Sequence, residues 1–134
     1  MNPKILFCVY FITSLAISGD VPRIMVENVD SLATLKAPLD LCMQTNDFKK
    51  LEAKKQTRFI GLGLKIDGTV LKIRKFYDDK IIFIAYLQMV SKYSESQSAK
   101  ELVNRYGQLC SDKMFFEIEN VFSEFDSKIN RYLR

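Results

Sequence analysis

The stretch that decides the fold class is residues 59–73, which read Phe-Ile-Gly-Leu-Gly-Leu-Lys-Ile-Asp-Gly-Thr-Val-Leu-Lys-Ile. Two interpretations fit this stretch. Its apolar residues alternate on both sides of Asp67-Gly68, a dipeptide typical of tight turns, and this pattern indicates a β-hairpin. Alternatively, the glycines at 61, 63 and 68 end one helix and precede another, so that the stretch joins two helices.

The residues that follow favour the helical interpretation. Apolar side chains recur there every three or four residues, at Val70, Ile73, Tyr77, Ile81, Ile84 and Leu87. A lone hairpin without a third strand is also only marginally stable. We therefore expect a helix over roughly residues 69–93 and an all-α protein, with an α+β fold containing a hairpin around Asp67-Gly68 as the alternative. The run 81–87 is apolar nearly all round, which predicts a helix surrounded by others.

Two further helices are expected upstream. Apolar residues between Ile24 and Leu35 have helical spacing. This helix should end before Pro38, because a residue that precedes proline avoids helical dihedral angles. A second helix then covers about residues 39–58, with Pro38 near its first turn.

The C-terminal third contains the clearest helix signals. Ser98 and Glu101 have the spacing of a capping box, and Ser111 is suited to cap a last helix. That helix has an apolar seam at Phe115, Ile118, Phe122, Phe125, Ile129 and Tyr132. Phe116 lies off the seam, where we expect it to be exposed. The sequence as a whole predicts a compact bundle of four or five helices.

The first 19 residues have the pattern of a secretory signal peptide. Lys4 precedes an apolar run from Ile5 to Ile17, and Ala16 and Ser18 fit a small-residue cleavage site. Residues 20–134 are then one helical domain that is secreted to the extracellular space. No later segment has 18 uninterrupted apolar residues, so we expect no transmembrane segment in the mature chain.

Loss of the signal peptide leaves two of the three cysteines, Cys42 and Cys110. An even pair in an oxidising compartment indicates one disulfide. The chain-entropy model gives about 4 kcal/mol of stabilisation for a loop of this size. Without histidine or a CxxC pair, a metal site lacks its usual ligands.

The chain contains no histidine, which excludes Ser-His-Asp and Cys-His catalysis and any imidazole switch. Neither close pair of carboxylates suits acid–base chemistry. Asp78 and Asp79 are adjacent and diverge on a helix, and Glu117 and Glu119 lie about 200° apart. We therefore expect a protein that is not an enzyme and needs no cofactor.

Charge is unevenly distributed along the chain. Residues 20–48 carry two basic and five acidic side chains, net −3, whereas residues 49–80 carry ten basic and four acidic ones, net +6. The candidate basic patch consists of Lys49, Lys50, Lys54, Lys55, Arg58, Lys72, Arg74 and Lys75. Such a surface suits an extracellular protein or an acidic glycan or lipid surface as partner. Nucleic acid is not expected, because aromatic residues are not interleaved with the basic ones.

These observations predict a secreted, non-catalytic binding protein that acts on an extracellular macromolecule, of the salivary, venom or effector type. The alternative function is to carry a small hydrophobic ligand, because the interior of a helical bundle can enclose one. The candidate lining for such a ligand is aromatic and consists of Phe83, Tyr86, Phe115, Phe122 and Phe125.

Overall fold

The computed structural model describes residues 17–134, and within this range the secondary structure is entirely α-helical. The helices are α1 (Arg23–Met43), α2 (Asn46–Lys49), α3 (Ala53–Tyr77), α4 (Ile81–Ser96), α5 (Ala99–Tyr106) and α6 (Asp112–Tyr132). The all-α prediction is confirmed, with six helices in the described range instead of four or five. The alternative hairpin is wrong, because Asp67 and Gly68 lie inside α3.

Helix α1 is the central element of the bundle. It packs most extensively on α4 and also contacts α3 and α6. The expectation that residues 81–87 are surrounded is wrong, because Ile84 and Leu87 on the outer face of α4 are 50% and 49% exposed. Only the opposite face of α4, which includes Ile82 and Tyr86, is buried against its neighbours.

The predicted break at Pro38 does not occur, and α1 continues through it to Met43. An interior proline removes one backbone hydrogen bond and costs about 3 kcal/mol or more. Burial on both sides of the proline offsets this cost, because Ala37 and Leu39 are fully buried. The predicted helix over residues 39–58 is correspondingly divided, and the short α2, capped by Thr45, lies between α1 and α3.

Helix α3 is continuous from Ala53 to Tyr77, so its three glycines neither end a helix nor start one. Gly63 has a specific packing role. A Cβ atom at this position would lie 3.1 Å from Cε of Lys36, so the glycine lets the Lys36 side chain cross α3 closely. The Lys36 ammonium then reaches Asp67, one turn further along α3.

The predicted helix over residues 69–93 is interrupted at Asp78, which has left-handed backbone angles (φ 50°, ψ 45°) and ends α3. Aspartate tolerates this conformation better than most residues. Asp79 lies two residues before α4 and supports its first turn, because its Oδ1 accepts a hydrogen bond from the Ile81 N–H at 3.0 Å. Local chemistry of the two aspartates thus overrides the continuous apolar pattern.

The predicted caps at Ser98 and Ser111 are confirmed, whereas Tyr132 of the predicted seam is 49% exposed. The Ser98 hydroxyl accepts a hydrogen bond from Glu101 N–H, and the Ser111 hydroxyl accepts one from Met114 N–H, each at 3.1 Å. The predicted disulfide is also confirmed, with the sulfurs of Cys42 and Cys110 2.02 Å apart. It connects the end of α1 to the segment between α5 and α6.

The predicted signal peptide lies mainly outside the described residues. Of residues 17–19, Ile17 is buried in the core, and Ser18 donates its backbone N–H to Asp79 Oδ2 at 2.8 Å. None of the helices between residues 17 and 134 has both the length and the apolar character that a membrane span requires.

Candidate functional site

A row of positive charge runs along one side of α3. At 100° per residue, Lys54, Arg58, Lys65 and Lys72 fall within about 40° of the helix circumference. All four side chains are exposed, and Arg58, Lys65 and Lys72 are spaced by seven residues. No ion pair within 4.0 Å involves these four residues in the part of the chain that the structure describes. We call this set the cation row.

The cation row borders a groove between α3 and α6, the α3–α6 groove, which consists of three cavities in series. The first, about 380 Å³, is lined by Arg58, Gly61, Leu62, Lys65, Phe115, Phe116 and Glu119. The second, about 280 Å³, is lined by Lys65, Gly68, Thr69, Lys72, Phe122 and Asp126. The third, about 690 Å³, is lined by Lys72, Lys75, Phe76, Asn130, Leu133 and Arg134. Lys65 and Lys72 each line two adjacent cavities, which makes the groove continuous.

The α6 wall of the groove is acidic at the first two cavities, where Glu119 and Asp126 line it, whereas Arg134 lines the third. Asp112, Glu119 and Asp126 are also spaced by seven residues and fall within about 40° of the circumference of α6. We call them the acid row. Asp112 pairs with Lys55 at 3.5 Å, which ties the start of α6 to α3. Asp126 accepts a hydrogen bond from the Thr69 hydroxyl at 2.8 Å, which ties the two helices together at the groove floor.

The structure brings only part of the sequence-predicted basic patch together. Lys54, Arg58 and Lys72 belong to the cation row, and Lys75 lines the third cavity. The others lie elsewhere: Lys49 ends α2, Lys50 follows it, Lys55 pairs with Asp112, and Arg74 is on the far side of α3. Lys65 was missed as a site residue. The feature that indicates Lys65 is its seven-residue spacing from Arg58 and from Lys72, which is apparent only once α3 is known to be continuous.

The predicted aromatic lining belongs largely to the packed core. Tyr86, Phe115 and Phe122 are at most 7% exposed, and Phe83 and Phe125 are partly buried against the same core. By contrast, all four described cavities lie at the surface, and each is lined by three charged side chains. Phe116 is 49% exposed, as expected, and lines the first cavity of the groove.

A half-buried polar cluster that the sequence did not reveal lies between α1, α3 and α4. The Lys36 ammonium contacts both Asp67 oxygens at 3.1 and 3.2 Å and Asp40 Oδ1 at 3.3 Å. Tyr86 donates its hydroxyl to Asp67 at 2.6 Å. Burial raises the pKa of Asp40, although Lys36 opposes the rise. Burial and the hydrogen bond to Asp67 raise the pKa of Tyr86 above its ordinary value.

The four members of this polar cluster contact one another across the three helices, which fits a role in holding the helices together. Among residues 17–134, no three His, Cys, Asp or Glu side chains meet in a group that suits a metal ion. The α3–α6 groove, by contrast, combines open space with cations that form no ion pair among the described residues.

Comparison with known proteins adds no assignment. No family model matches the chain, and no match was found among curated proteins or solved structures.

Proposed function

We propose that this protein is a secreted, non-catalytic binding protein for an acidic extracellular macromolecule, and that the α3–α6 groove with its cation row is the binding surface. The observation that carries the proposal is the charge of α3. Its 25 residues include seven basic side chains and one acidic one, net +6. The single acid, Asp67, is already neutralised by Lys36.

Accessibility of this charge supports the proposal. A patch that contributes to long-range attraction must face solvent and must not be cancelled by neighbouring acids. The side chains of the cation row are exposed, and no carboxylate of residues 17–134 lies within ion-pair distance of them. Glu119 and Asp126 on the facing wall offset the row only in part, because four cations face two acids. The row spans 18 residues, or about 27 Å of helix, which suits an extended partner.

The absence of histidine supports the non-catalytic part of the proposal. Two carboxylates, those of Asp40 and Asp67, share the Lys36 ammonium as their partner. A general acid or base needs access to substrate and a pKa near the working pH. Asp67 is instead occupied by Lys36 and Tyr86.

Chromatography on immobilised heparin tests the proposed surface, with heparin as a model polyanion. The variant Arg58→Glu/Lys65→Glu/Lys72→Glu reverses three charges of the cation row. We expect it to elute at markedly lower salt than the unchanged protein. Circular dichroism and a thermal melt establish that the variant is folded.

The matched control reverses three exposed lysines outside the groove, Lys100, Lys113 and Lys128. Its net charge changes by the same amount, so any excess loss of retention in the first variant reports the location of the charge. Equal shifts for the two variants would contradict the proposed surface.

Export is tested by the intact mass of the protein recovered from culture medium, which should lack residues 1–18 or 1–19. A mass that includes these residues would contradict secretion by cleavage.

A further inference from the structure

We infer that the occupant of the α3–α6 groove is an amphipathic α-helix of an acidic partner protein, with acidic side chains on the flank that meets α3 and basic side chains on the flank that meets α6. This inference rests on the proposed function and names the class of partner. It is carried by three features of the groove: the spacing of its charges, their opposite sign on the two walls, and its floor.

The spacing matches a helix. Seven residues of α-helix rise about 10.5 Å, so the cation row and the acid row both repeat at this interval. The two walls run in the same direction, because residue numbers rise together from the first cavity to the third. A helix with a heptad pattern presents its flanking charges at the same interval. Along the first two cavities the flanking charges of a partner helix can therefore face the cation row on one side and Glu119 and Asp126 on the other, without distortion of either helix.

The opposite sign of the walls distinguishes a helix from a uniform polyanion. A sulfated glycan placed in the groove would approach the cation row but also Glu119 and Asp126 of the acid row. Like charges at close range oppose binding. A helix carries different charges on its two flanks and so satisfies both walls at once, as paired flanks do in coiled coils.

The floor of the groove provides space and apolar contact. A Cβ atom added at Gly61 or Gly68 would meet nothing within 4 Å, so a partner can approach the α3 backbone at both positions. Phe116, 49% exposed, contributes apolar surface at the first cavity. Recognition of a helix in a groove relies on such contacts along one apolar seam. From Arg58 to Phe76 the groove is about 27 Å long, which corresponds to about 18 residues of helix.

A synthetic peptide tests the inference directly. The probe is a 21-residue labelled helix of about three heptads, with leucine along its seam, glutamate on one flank and lysine on the other. A second probe carries lysine on both flanks. We expect the unchanged protein to bind the first probe in preference to the second, as measured by fluorescence anisotropy at moderate salt.

Charge reversal should invert this preference. In Arg58→Glu/Lys65→Glu/Lys72→Glu both walls of the first two cavities are acidic, so the first probe should bind roughly tenfold more weakly and the second more tightly than to the unchanged protein. The Lys100, Lys113 and Lys128 control should keep the original preference. A general loss of positive charge would favour the lysine probe in the groove variant and in the control alike. An inversion confined to the groove variant therefore supports a helix seated between the two walls.

Two results would overturn the inference, and each has a distinct meaning for the proposed function. If the preference of the groove variant does not invert while its heparin retention falls, the helix is refuted and a polyanion-binding surface remains. If neither the probes nor heparin distinguish the groove variant from the control, the proposed function fails as well.

Discussion

Replacement of Lys36 by methionine tests how the half-buried polar cluster holds α1, α3 and α4 together. Methionine keeps most of the apolar stem that lies against Gly63 but removes the ammonium. Asp40 and Asp67 then lose their shared cation while 28% and 24% of their side-chain surfaces remain exposed. We expect Lys36→Met to be among the more destabilising substitutions at a charged residue.

The magnitude follows from burial. Breaking a fully buried ion pair by removal of one partner costs about 3–5 kcal/mol. Both carboxylates here are about one-quarter exposed, so solvent screening lowers the expected loss to roughly 2–3 kcal/mol. With a urea dependence of about 1–3 kcal/mol per molar, the unfolding midpoint falls by roughly 0.7–3 M.

Urea unfolding monitored by far-ultraviolet circular dichroism at pH 7 and at about pH 3 measures this effect. At the lower pH most carboxylates are protonated, so the missing cation matters less and the loss should shrink. Lys100→Met, at an exposed position, should change stability by less than about 0.5 kcal/mol. A loss below about 1 kcal/mol at pH 7, or an equal loss at both pH values, would refute the reasoning.

Three further predictions concern stability. Removal of the disulfide by Cys42→Ala/Cys110→Ala should cost about 4 kcal/mol, since the bond closes a loop with a sequence separation of 68 residues; an unchanged urea midpoint would contradict this. Burial raises the pKa of Asp40 above its ordinary value of 3.8, so the folded state binds that proton more tightly than the unfolded chain. The stability of the unchanged protein relative to Asp40→Asn should therefore fall as pH rises through and above this value. Thermal melts across that pH range would contradict the sign if the unchanged protein became more stable relative to the variant as pH rose. Gly61→Ala should raise stability by up to about 1 kcal/mol, whereas Gly63→Ala should gain nothing because its Cβ would meet Lys36 at 3.1 Å; equal melting temperatures for the two variants would count against this packing role.

The proposed binding surface and the polar cluster use different sides of α3. One side of the helix carries the cation row and faces open space, whereas Asp67 on another side is tied to α1 and α4 through Lys36 and Tyr86. The anchoring contacts are half-buried and hold the helix in place without using the exposed cations. Variants of the groove charges are for this reason expected to fold.

Sequence alone determined those features that depend on short-range chemistry. The caps at Ser98 and Ser111, the seam of α6 from Phe115 to Ile129 and the all-α class all follow from patterns within a few residues. The disulfide was predicted from the even number of cysteines, because two remain once the predicted signal peptide is removed. In each case the deciding interaction is local or has only one available partner.

Tertiary structure decided where the long helices begin and end, and with them the site. Pro38 and the glycines of α3 are local signals for a break, but packing against neighbouring helices stabilises the continuous form by more than these residues cost. Only in a continuous α3 do Arg58, Lys65 and Lys72 fall on one side, and only the placement of α6 beside it sets the acid row across the groove. The sequence specifies which residues are charged, but the alignment of these charges depends on long-range packing that no short sequence pattern encodes.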